Sequence, residues 1–97
     1  MDPLVSIVMP CWNVAETVGE CIDSLLVQTY SQWELIAVND GSTDETLDIL
    51  QQYGQRDSRI QVLDLPKVGI IEAPMRGMEL SKGAFIARMD ADDVAYP

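Results

Sequence analysis

Trp33-Glu34-Leu35-Ile36-Ala37-Val38-Asn39-Asp40-Gly41-Ser42-Thr43-Asp44-Glu45 runs from an apolar strand through a polar turn into a helix start. The run over 33–39 reads as a β-strand. Ser42-Thr43-Asp44-Glu45 reads as a capping box, with Ser42 reaching the first helical turn and Glu45 reaching back. Leu47, Ile49, Leu50 and Tyr53 continue the helix, which is expected to stop near Gly54. Working outward, residues 4–9 form a β run ended by Pro10, and residues 14–29 switch to helical period. Val14, Val18, Ile22, Leu25 and Leu26 make its apolar stripe. Residues 59–65 alternate as a third strand ended by Pro66. Residues 70–81 read as a third helix with Pro74 in or near its first turn. Lys82-Gly83 offers a cation and a C-cap, and residues 84–89 are the fourth strand.

The order is therefore βαβαβαβ, with connections too long for hairpins. Such alternation implies an α/β fold with a mainly parallel, doubly wound sheet of about four strands, order 3-2-1-4, flanked by helices. Ligands of such sheets lie beyond the carboxyl ends of the strands, where strand order reverses. Three polar segments fall at such ends: Pro10-Cys11-Trp12-Asn13, Asn39-Asp40-Gly41-Ser42 and Asp90-Ala91-Asp92-Asp93. In the last, Asp90 and Asp92 are two apart, so in an extended chain both point one way. Paired carboxylate oxygens of this kind suit Mg²⁺ or Mn²⁺, whereas the plainer reading is an acidic turn.

The 97 residues fit one small domain. A net charge of −10, from 16 acidic against 6 basic residues and no His, opposes binding to a nucleic-acid backbone. A phosphate ligand would meet the same repulsion unless a divalent cation inverted the local field. No apolar run approaches the roughly 18 residues of a membrane span, and residues 1–3 lack a signal-peptide start, so a cytoplasmic location, peripheral to the membrane in a longer protein, is the expectation. Cys11 and Cys21 lack both a CxxC spacing and a His partner, and read as reduced, non-catalytic thiols.

The ordered set of segments resembles the N-terminal half of the family 2 glycosyltransferases, nucleotide-sugar-dependent enzymes with the Rossmann-like GT-A fold. The resemblance is carried by 5–13, 21–30, 38–44, 79–83 and 89–93, and so covers nearly the whole chain. It implies a nucleotide-diphosphate sugar as donor, UDP-linked by expectation, an unknown acceptor hydroxyl, and Mn²⁺ or Mg²⁺ as cofactor. Asp40 matches the acid that accepts a hydrogen bond from the base, a sensible pairing because uracil offers one donor between two acceptors. Trp12, within Pro10-Cys11-Trp12-Asn13, matches an aromatic position near the base; the plainer alternative for it is a core aromatic, and for Asp40 a turn-forming Asp. Asp90-Ala91-Asp92 matches the family's DxD; Asp92 and Asp93 are expected nearest nucleotide and metal, with Asp90 supporting. Arg76 is expected either towards the diphosphate or on the surface. Asp44 reads as a helix N-terminal acid rather than a ligand.

Two positions depart from the family pattern. Asn39 stands where many relatives have Asp, and Pro74-Met75 replace central residues of the helix over the sugar nucleotide. The resemblance further implies that residues 1–97 are the donor half of a longer domain, truncated after the DxD loop, inactive alone, with the general base beyond residue 97. It also implies inversion at the anomeric carbon and a bare fourth-strand edge that favours self-association. Two other readings stand beside it: a non-catalytic α/β association module, and a phosphatase of the haloacid dehalogenase type.

Overall fold

The computed structural model describes residues 3–91. Its elements are β1 (Val5–Cys11), α1 (Val18–Leu26), β2 (Trp33–Asp40), α2 (Thr46–Arg56), β3 (Ile60–Leu65), α3 (Glu72–Glu79) and β4 (Phe85–Arg88). The four strands form one sheet in the order β3-β2-β1-β4. Every pairing is parallel, with Val5 opposite Trp33 and Phe85, and Leu35 opposite Ile60. Fold class, element order and strand order agree with the sequence expectation.

Side-chain alternation along the strands splits the core in two. Met9, Cys11, Leu35 and Ala37 pack against Val18, Cys21, Ile22 and Leu25 of α1 and Leu50 and Tyr53 of α2. Val8, Ile36 and Val38 face the other way, onto Ala73 of α3. The α3 face is the tighter one. A Cβ on Gly77 would lie 2.7 Å from Val8 Cγ1 and 2.9 Å from Val38 Cγ2, so only a glycine lets the helix approach so closely. Each fully buried aliphatic side chain contributes about 1.5–3 kcal/mol of transfer free energy.

Local expectations needed correction at four places. The first helix begins at Val18 rather than near residue 14 and ends at Leu26. Its preceding turn is held from outside: the Val14 amide donates to Thr46 Oγ1 and the Ala15 amide to Asp44 Oδ2. The capping box does not form. Ser42 Oγ instead accepts the Asn13 amide at 3.0 Å, and Asp44 Oδ1 takes the Thr46 amide at 3.0 Å. Asp44 is thus the acid at the start of α2, as its position suggested. Gly54 lies inside α2, which continues to Arg56 and faces Val62 and the Ile60 carbonyl of β3 there. Gly83 is no helix cap, since α3 ends at Glu79; it passes so close to β1 that a Cβ would meet the Leu4 carbonyl at 2.6 Å.

Both thiols are buried and in no disulfide. Burial first, and Cys21 second, push the Cys11 thiol up to about 12, which keeps it protonated and unreactive. Among the described residues, no helix is long and apolar enough to cross a membrane.

Candidate functional site

The strand order reverses between β1 and β4, and a cleft of about 320 Å³ opens there, beyond the carboxyl ends of the strands. Its lining includes Pro10 and Trp12 from the end of β1, Asp40 from the end of β2, Lys67 after β3, and Arg88 and Asp90 from the end of β4. Four residues singled out in the sequence, Pro10, Trp12, Asp40 and Asp90, therefore share one cleft.

Asp40 lies at its floor, 3% exposed, on the same strand face as Ile36 and Val38. A carboxylate so buried needs partners. Oδ1 accepts the Val68 amide at 2.6 Å and the Gly69 amide at 3.3 Å; Oδ2 accepts Gly69 at 3.1 Å and the Lys67 ammonium at 3.2 Å. Burial pushes the carboxyl up, but the Val68, Lys67 and Gly69 hydrogen bonds and the Lys67 charge together outweigh it. The group is held below the ordinary carboxylate value and is ionised at neutral pH.

Trp12 is no core aromatic. Its ring is 52% exposed, and the Lys67 ammonium sits 4.1 Å from its centroid. Lys67, Trp12 and Asp40 thus form one contact chain across the cleft floor. The Lys67 main chain is fixed by Gly41, whose φ of +67° and missing Cβ allow the contact; a Cβ there would lie 2.6 Å from Lys67 N.

Asn13 and Arg76 stand elsewhere. Asn13, at φ +50°, turns its side chain to Thr43, whose amide donates to Oδ1 at 2.8 Å, and it does not line the cleft. Arg76 pairs with Glu72 one turn earlier on α3, at 3.0 Å, and is likewise absent from the lining. Asp90 Oδ1 accepts Arg88 Nε at 3.4 Å, both side chains being more than half exposed. Asp92 and Asp93 lie outside the described residues. Among the described residues, no group of three or more His, Cys, Asp or Glu is gathered to hold a metal ion. Asp90 faces an arginine and the Asp40 oxygens are already engaged, so these two carboxylates do not by themselves fit a divalent cation.

Sequence reading missed Lys67 and Arg88. Two of the chain's six basic residues line this cleft, although the net charge is −10. The signal available was topological: β3 next to β2 brings the loop after β3 over the end of β2.

Comparison with known proteins gives this geometry a context. The family model described as glycosyl transferase family 2 matches residues 6–97. The uncharacterized glycosyltransferase EpsJ of Bacillus subtilis is 44% identical over 93 residues, covering 96% of this chain and 27% of that protein. An uncharacterized glycosyltransferase of Haemophilus influenzae is 40% identical over 96 residues, covering 98% of this chain and 30% of that protein. The structure of S. aureus TarS 1-349 in complex with UDP-GlcNAc superposes with a TM-score of 0.85 at 27% identity, over 94% of this chain and 27% of that one. The chain spans roughly three tenths or less of the length of these relatives. A match that starts in β1 and takes in every strand and helix of the sheet settles the relationship: the chain belongs to glycosyl transferase family 2.

Proposed function

We propose that the cleft receives the nucleoside diphosphate of a nucleotide-sugar donor, a UDP-sugar, and that a longer protein containing this chain transfers the sugar to an acceptor hydroxyl. The observation that carries the reading is an ionised, buried Asp40 beside an exposed Trp12 ring in a family 2 member. The UDP-GlcNAc complex of the similar TarS 1-349 supports the choice of donor.

In this reading the base stacks on Trp12, a contact of roughly 1–3 kcal/mol in single-strand binding proteins, and donates its ring N–H to Asp40. Pro10 borders the base, and Arg88 gives the diphosphate a cation at the cleft mouth. Arg76 and Asn13 act through position rather than contact. Mn²⁺ or Mg²⁺ belongs to the same proposal, with ligands drawn from Asp90, Asp92 and Asp93. A divalent ion there would neutralise charge on the departing diphosphate. The acceptor oxygen forms its bond to the anomeric carbon as the carbon–oxygen bond to the diphosphate breaks, with inversion. The hydroxyl proton goes to an acidic base, a role that no residue of this chain is assigned; the chain alone is inactive.

Calorimetry with UDP and Mn²⁺ tests the reading. Saturable binding to the parent chain, weakened at least tenfold by Trp12→Ala, is expected; an unaltered Trp12→Ala isotherm, or no heat with the parent, rejects it. Self-association is a second element of the proposal. All four residues of β4 are exposed, Phe85 and Ile86 among them, and β4 pairs only with β1 among the described residues. A sheet continuing between two copies would cover that edge. Light scattering that stays monomeric at high concentration would reject it.

A further inference from the structure

We propose that the Lys67 side chain is a displaceable plug in the base seat, so that a nucleobase enters only by expelling its ammonium from between Trp12 and Asp40. The inference rests on the nucleotide reading above and adds a residue which that reading does not use.

Three observations carry it. The ammonium is 4.1 Å from the centroid of the Trp12 ring, and both residues line the cleft, so it covers a ring face there. It also lies 3.2 Å from Asp40 Oδ2. Oδ1 is held by the Val68 amide at 2.6 Å, and the Gly69 amide is shared between the two oxygens, so the position on Oδ2 that Lys67 fills is the one a ring N–H would reach. One side chain thus occupies both contacts that the base needs.

The third observation concerns what can move. The main chain of the loop cannot retreat, because two of its amides are bonded to Asp40 and Lys67 rests directly against Gly41. The side chain can. It is 48% exposed, and its four-carbon stem reaches solvent at little cost in packing. Base binding then exchanges a half-exposed ion pair and a cation–π contact for a stack and a neutral donor on the same carboxylate. Because the two sets of contacts are similar in kind, affinity becomes a small difference that Lys67 controls.

The same geometry favours a base with a single ring donor. Uracil presents one N–H between two carbonyls, whereas guanine presents two adjacent donors and needs both carboxylate oxygens. Only one acceptor position, on Oδ2 beside the Gly69 amide, opens when the plug leaves.

Neutral uridine is the probe, because it leaves diphosphate and metal out of the measurement. Lys67→Met, of similar length and without charge, is expected to bind uridine about three- to tenfold more tightly than the parent chain, since a charged hydrogen bond no longer has to be broken. Lys67→Arg is expected to bind it more weakly, because a planar guanidinium stacks on Trp12 and grips the carboxylate better. Raising NaCl from about 0.05 to 0.5 M screens the ion pair and should tighten uridine binding to the parent more than to Lys67→Met. Unchanged or weaker binding by Lys67→Met, with UDP still bound by the parent, overturns the plug and leaves the nucleotide reading standing. No binding of uridine or UDP by any form removes both. If Lys67→Met fails to fold by circular dichroism, Lys67→Arg decides: binding equal to or tighter than the parent overturns the plug.

Discussion

The side-chain oxygen of Asn13 accepts the Thr43 amide at 2.8 Å, joining the loop after β1 to the loop after β2. The Asn13 amide returns a bond to Ser42 Oγ at 3.0 Å, so the segments that follow β1 and β2, next to Trp12 and Asp40, are tied together by both. Asn13 also sits at φ +50°, a conformation in which Asn and Gly are tolerated and other residues are strained. Asn13→Ala loses the side-chain bonds and adds strain; Asn13→Gly loses only the bonds. We expect Asn13→Ala to cost about 2 kcal/mol and Asn13→Gly about 1 kcal/mol, which for a domain of this size lowers Tm by about 4–8 °C per kcal/mol. Thermal melts of both variants give the ranking, and equal losses would show that backbone strain plays no part.

Gly77→Ala isolates packing from helix propensity. In an exposed helix the change would gain up to about 1 kcal/mol. Here the new methyl meets Val8 Cγ1 at 2.7 Å and Val38 Cγ2 at 2.9 Å, two stiff β-branched side chains on the sheet. Overpacking should win, with a net loss of about 1–3 kcal/mol. Removing part of the obstruction with Val8→Ala should make Gly77→Ala less harmful in the double variant than in the parent background. Urea melts of the four forms measure that coupling, and strict additivity would refute the steric account.

Asp40 predicts a sign for acid sensitivity. Its folded carboxyl is held below the ordinary value, which is about 3.9. The unfolded chain therefore binds more protons in the interval between the two values. The stability Asp40 contributes is complete above the ordinary value and is lost as pH falls through the folded one. Asp40→Asn should cost about 1–3 kcal/mol at pH 7, since its one oxygen can keep the Val68 amide but its NH₂ cannot accept the bonds that Oδ2 takes from Gly69 and Lys67. The gap between parent and variant should narrow below about pH 4, where the unfolded chain's carboxyl begins to take up its proton ahead of the folded one. Denaturant melts at pH 7 and pH 3 check this, and a gap that widens on acidification would reverse the assignment.

The sheet was legible because its signals are long-range in sequence and redundant. Four apolar strands, alternating with amphipathic helices, leave few topologies open. Pro10, Trp12, Asp40 and Asp90 could be assigned to one cleft because each follows a strand, and strand ends gather by geometry. What escaped was set by competition between neighbours. Ser42 has the right chemistry for a helix cap, yet the Asn13 amide, 29 positions earlier, takes its hydroxyl. Gly54 and Gly83 looked like stops, but Gly54 is carried inside α2, and Gly83 is small because β1 passes too close for a Cβ. Lys67 was invisible for a related reason: Pro66-Lys67-Val68-Gly69 reads as a plain turn until β3 is known to lie beside β2.

Asn39, the position where many family 2 members carry Asp, has a local cause that yields the last prediction. It is buried, lies opposite Asp64 in the β2–β3 register, and donates from Nδ2 to Asp64 Oδ1 at 2.9 Å. A carboxylate has no proton to donate there. Asn39→Asp would set two carboxylates at hydrogen-bond distance, which raises the folded pKa of the pair above the unfolded value. A group shifted in that direction contributes its stability at low pH and loses it as pH rises through the folded value. Asn39→Asp should therefore be destabilised by about 1–3 kcal/mol relative to the parent at pH 7, with most of that gap recovered near pH 4, where a shared proton replaces the amide hydrogen. Asn39→Asp combined with Asp64→Asn restores a donor and should regain much of the loss at pH 7. Urea denaturation of the three forms at both pH values is sufficient. An Asn39→Asp deficit that does not change with pH would mean that the pair is held by shape alone, and that charge plays no part in the choice of amide over acid at this position.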